Sequence, residues 1–114
     1  MDAVARGEKD FYESLGLLEQ AARENVERWQ AVQHRARKLR TAMDRGDDLP
    51  AIIEAEDPPR IVEMLTANIS TLETVGSTLR RTEAQALRAH GLSLAAIGDY
   101  FGVSRQRVAE LLNS

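Results

Sequence analysis

Toward the C-terminal end, Ser104-Arg105-Gln106-Arg107 places a hydroxyl, two guanidinium groups and an amide in four consecutive positions, and Glu110 and Asn113 follow at helical spacing. This set is built for recognition, not bond making. Arginine suits guanine edges and phosphates, glutamine suits adenine, and glutamate accepts from cytosine. A serine opening a helix adds free backbone N–H groups at the positive end of the helix dipole, where a phosphate can sit. The chemistry implied is the reading of double-stranded DNA. Reactive sets are missing: there is no cysteine, no phosphate-cradling glycine loop, no nucleophile elbow and no pair of carboxylates in apolar surroundings. His34 and His90 stand alone without ligand spacing. No enzyme activity, metal or cofactor is therefore expected.

Such groups need a helix held at a fixed angle, and the preceding residues are suited to supply one. His90-Gly91 closes one helix, with Gly91 free to take a left-handed conformation. Ser93 caps a second helix over 94–101, Gly102 and Val103 form the corner, and Ser104 caps a last helix to about Leu112. Gly98 keeps bulk low where the last helix must cross. Ile97, Phe101, Val103, Val108 and Leu111 are the expected core between the two helices, with Leu87 as the lid. At roughly 100° per residue with Val108 turned inward, Gln106, Ala109, Glu110 and Asn113 point away while Arg105 and Arg107 flank them. The candidate DNA-contacting residues are Ser93, Ser104, Arg105, Gln106, Arg107, Glu110 and Asn113.

The stretch LSLAAIGDYFGVSRQRVAELL, Leu92 to Leu112, resembles the helix-turn-helix of bacterial transcription regulators, and most closely region 4 of sigma factors, which reads the −35 element. The shared features are the Ile-Gly pair, the Gly-Val-Ser turn and the Arg-x-Arg start of the second helix, and the likeness covers Thr82 to Leu112. The resemblance implies a DNA-facing set of Ser104, Arg105, Gln106, Arg107 and Glu110. Ala109 and Leu111-Leu112 depart from the pattern, where the sigma motif usually continues with polar residues. The chain also has no room for the other sigma regions, so it reads as a small sigma-like DNA-binding protein and not a sigma factor.

Upstream, the fold is expected to be all-α. A heptad with Leu15, Ala22, Trp29, Ala36 and Met43 at position a and Phe11, Leu18, Asn25, Val32 and Leu39 at position d predicts one coiled-coil-like helix over about 3–44. Asn25 fixes the register of a dimer or lies at the edge of an intramolecular bundle; Trp29 is expected as a core anchor. After the Arg45-Gly46-Asp47-Asp48 break comes a short helix in LPAIIEAE. Asp57 is the expected cap of a second long helix over about 58–90; Gly76 and Ser77 interrupt its pattern and Thr82-Glu83-Ala84-Gln85 reads as a capping box, so the stretch is one helix with a soft point near Gly76, the favoured reading, or two helices that meet there. The basic run His34 to Arg40 is a solvated face, a partner for the acidic residues 44–57, or a second DNA contact.

A net charge of −3 argues weakly against nucleic acid, but its distribution favours the tail. Residues 1–76 carry ten basic and fifteen acidic side chains, whereas 77–114 carry five basic and three acidic ones. This divides the chain into a dimerisation or partner-binding region, 1–76, and a DNA-binding region, 77–114. No run is long and apolar enough for a membrane span and the start has no signal-peptide core. A cytoplasmic, nucleoid location follows, and thirteen arginines to two lysines point to a GC-rich bacterial genome. The expected role is a sequence-specific transcriptional regulator acting as a homodimer. Two other roles fit the same residues: a nucleoid-associated protein coating DNA, or an adaptor binding polymerase or a toxin through the N-terminal helix.

Overall fold

Helix-forming residues dominate the chain, and a computed structural model that describes residues 2–114 contains five helices and, among the described residues, no strand. They are α1 (Ala3–Asp44), α2 (Leu49–Glu54), α3 (Ile61–Ala89), α4 (Leu94–Phe101) and α5 (Arg105–Leu112). No helix among the described residues is long and apolar enough to cross a membrane. The chain forms two compact units, one from Met1–Gln20 with Glu73–Ser114 and one from Ala21–Leu72. Compactness thus groups the first twenty residues with the C-terminal helices, a different partition from the charge-based one at residue 76.

In the first unit α1 and α3 run antiparallel, because Gly7 approaches Ala86 while Ser14, one heptad on, meets Thr82. The approach is close: a Cβ on Gly7 would lie 3.0 Å from the Ala86 Cα. The Ser14 hydroxyl donates to the Asp10 carbonyl at 2.9 Å and accepts from the Thr82 hydroxyl at 2.9 Å. Thr82 is thereby buried mid-helix, and Thr82-Glu83-Ala84-Gln85 starts no new helix, since α3 continues unbroken through it.

The seam of α1 differs from the expected one. Position d faces inward, with Val32 buried and Phe11, Leu18, Asn25 and Leu39 half-buried. Position a does not: Leu15, Ala22 and Met43 are exposed, and Trp29 and Ala36 only half-buried. The inward neighbours of d are instead Gly7, Ser14 and Ala21, small residues that let α3 come near. Asn25 Oδ1 is buried by its own chain, so this residue belongs to an intramolecular seam.

In the second unit a single arginine ties α1 to the chain entering α3. Arg35 Nη1 lies 3.1 Å from Glu56 Oε1, from the Asp57 carbonyl and from the Pro59 carbonyl. Glu56 Oε1 also accepts from the Ile61 amide at 2.7 Å, which makes Glu56, and not the expected Asp57, the residue that satisfies the start of α3. Pro58 and Pro59 precede this helix and lie outside it. Burial pushes the Glu56 carboxyl up, but the Ile61 amide, Arg35 and Arg60 outweigh it and hold the group below its usual value. Within the basic run His34 to Arg40, then, Arg35 is a partner for the acidic linker.

Candidate nucleic-acid interface

α4 and α5 are both eight residues long, too short to persist alone, and a shared core holds them. Ala84 of α3, Ile97 of α4 and Val108 of α5 have no exposed surface, and Leu87, Leu92, Leu94, Phe101 and Leu112 pack around them. Burying a branched side chain of this size stabilises by roughly 1.5–3 kcal/mol, so Ile97 and Val108 dominate the fixing of α5. Leu111 is buried as expected, but Val103 is not: it stands 40% exposed at the corner. Val103 serves the corner with its backbone, its N–H donating to the Gly98 carbonyl at 3.0 Å.

The corner itself is set by two glycines. Gly102 ends α4 in the left-handed region at φ 68°, where a side chain costs energy. Gly98 is buried beneath the corner, and a Cβ there would stand 2.6 Å from the Val103 carbonyl oxygen. Upstream, Gly91 also takes a positive φ, 95°. Arg88 Nη1 donates to the Leu92 carbonyl at 2.8 Å and braces the link from α3 to α4.

Ser93 and Ser104 cap α4 and α5, accepting from the amides of Ala96 and Arg107 at 3.1 Å each. Each hydroxyl keeps its proton free to donate outward, and both serines are exposed. Arg105, Gln106, Arg107, Glu110 and Asn113 are exposed as well, while Ala109 is half-buried. All seven candidate residues lie in one compact unit. Arg105 and Gln106 make no side-chain hydrogen bond or ion pair among the described residues. Arg107 Nη1, by contrast, lies 3.1 Å from Glu110 Oε2, both side chains being about half exposed. Glu110 therefore orients Arg107, and both groups give up part of this contact if they meet bases.

Beside this surface is a shallow cleft of about 300 Å³, lined by Arg80, Glu83, Tyr100, Val103 and Arg107 together with Phe101 and Leu111. Tyr100 is 75% exposed, and its phenol adds a donor beside two guanidinium groups. The helical period marks Tyr100 as outward, but only the fold of α3 against α4 and α5 brings Arg80 next to it. The chain matches no family model, no curated protein and no solved structure.

Proposed function

We propose that this protein is a DNA-binding transcriptional regulator that reads a duplex with the exposed edge of α5. One observation carries the reading: Arg105, Gln106 and the Ser104 hydroxyl project from a short helix whose opposite side is locked by Val108, with no internal partner for the arginine or the glutamine. A rigid rod with unpaired donors on its open edge is what base-edge and phosphate contacts in a major groove require. Its likeness to the helix-turn-helix of sigma region 4 supports the same orientation. Arg107, Ser93, Tyr100 and Arg80 are assigned to the backbone, where they set position.

A single module of this size buries only about 600–1,000 Å² on DNA, too little for tight specific binding. Two copies on one duplex supply the rest, and two-fold symmetry then calls for inverted half-sites about 34 Å apart or a multiple of that.

The test is fluorescence anisotropy with a selected duplex and a random one at two salt concentrations. Arg105→Ala with Arg107→Ala is expected to weaken binding by several kcal/mol, since each contact is worth on the order of 1–3 kcal/mol, while circular dichroism is unchanged. Full affinity in the folded double variant rejects the assignment. Equal affinity for both duplexes with a steep salt slope identifies a coating protein instead.

A further inference from the structure

We propose that one flank of the Ala21–Leu72 unit is covered by a second copy of this chain. The proposal deepens the two-copy arrangement above, but its observations come from this unit alone. Ala21 and Val32 are buried on α1 and Asn68 on α3, which marks the side each helix turns to the other. Arg35 clamps the later part of α1 to the residues that open α3, so the two helices are antiparallel here.

At roughly 100° per residue, Ala22, Val26 and Trp29 sit about 80–140° around α1 from its packed side. Leu72, Leu65, Ile69 and Val62 sit about 40–120° around α3 from Asn68 in the same rotational sense. Because the helices are antiparallel, an equal sense of rotation brings both sets to one flank. None of these residues is charged. Val62 is 69% exposed, Val26 59% and Ile69 50%. The other flank carries Glu24, Glu27, Arg28 and Lys38 from α1 and Glu63 and Ala67 from α3. From Ile61 to Leu72, Glu63 is the one charged residue of α3. From Ala22 to Trp29 and from Val62 to Leu72 this flank carries no charge; Arg40, at the same angle on α1 as Ala22, lies about three turns beyond Trp29. An uncharged stretch of outer face, beside a flank that is charged, is the pattern of a covered surface.

Size and self-complementarity identify the cover. The exposed parts of these side chains amount to on the order of 500 Å² per copy, in the upper half of the range for a monomer's largest apolar patch. Two such faces together bury about 1,000 Å², the threshold of a biological interface before any rim is counted. A face without charge meets its own image across a two-fold axis with no like-charge repulsion. Trp29, Leu65 and Ile69 supply ridges, and Ala22 supplies a hollow that admits them.

Sedimentation equilibrium of the full chain without DNA tests this. The expected mass is twice the 12.7 kDa of one chain, and Ile69→Glu is expected to raise the dissociation constant at least about tenfold with helix content retained. Ala67→Glu, the same charge on the other flank, is expected to leave the dimer intact. Should Ile69→Glu lose helix content, Val26→Lys on α1 makes the same comparison. A one-chain mass throughout the micromolar range overturns the proposal and leaves the face to a different partner or to solvent. A dimer unaffected by a folded Ile69→Glu or Val26→Lys, or one broken by Ala67→Glu, overturns it too. Failure of DNA reading is separately visible: Arg105→Ala with Arg107→Ala removes duplex binding and keeps the two-chain mass.

Discussion

Gly98 and Gly102 are four positions apart and fail in different ways when given a side chain. At Gly98 the obstacle is space, since the added carbon meets the Val103 carbonyl at 2.6 Å; Gly98→Ala is expected to destabilise by about 1–3 kcal/mol through overpacking. At Gly102 nothing lies within 4 Å and the obstacle is the positive φ, so Gly102→Ala should cost only about 1–2 kcal/mol. Urea denaturation of the two variants gives both numbers. A third residue sets a pH dependence. The folded pKa of Glu56 is lowered, so its contribution is present above the unfolded value near 4.5 and is lost as pH falls from there through the folded value. Thermal midpoints of Glu56→Gln and the parent protein are expected to converge as the medium is acidified below that point, with the parent the more stable at neutral pH.

Within α1, the same substitution has opposite signs at two sites. Gly16 has nothing within 4 Å, so Gly16→Ala should stabilise by about 0.5–1 kcal/mol through helix propensity. A Cβ on Gly7 would meet the Ala86 Cα at 3.0 Å, so Gly7→Ala should lower the denaturation midpoint. The contrast explains what could be read from the residues alone. The extents of α4 and α5 and the end of α3 follow closely from period and caps, because Ser93, Ser104, Gly91 and Gly102 are strong boundary signals, whereas the start of α3 at Ile61 depends on the fold bringing Glu56 to its amide. The packed side of α1 was half legible: position d stands out as apolar, but its neighbours Gly7, Ser14 and Ala21 carry little apolar bulk, and a pattern of hydrophobicity passes over them in favour of Leu15 and Met43. At the candidate site the outward set follows from the period of α5. The Arg107–Glu110 pair is visible as an i, i+3 spacing, whereas the Arg80–Tyr100 cleft requires knowing how α3 lies against α4.

For the molecule as a whole, the compact unit that holds α5 includes Met1–Gln20 as well as Glu73–Ser114. Those first twenty residues add five acidic and two basic side chains to the unit that holds α5, so on the proposed function any attraction to DNA is local to α5 and not a property of the whole unit. The salt dependence should accordingly be modest: at about 0.9 per phosphate contact, Arg80, Arg105 and Arg107 predict a log–log slope of roughly −2 to −3 per reading unit. Binding measured between about 50 and 200 mM salt checks it. A fragment of residues 73–114 is expected to lose much of its helicity, because it lacks the α1 segment that packs on Thr82 and Ala86; far-ultraviolet circular dichroism of the fragment decides this.

The hydroxyl pair of Ser14 and Thr82 joins residues 68 positions apart. During translation α1 must therefore wait, partnerless along that edge, until the ribosome has moved well beyond α3. Since α4 and α5 are made later still, the core that Ala84 shares with Ile97 and Val108 closes last of all.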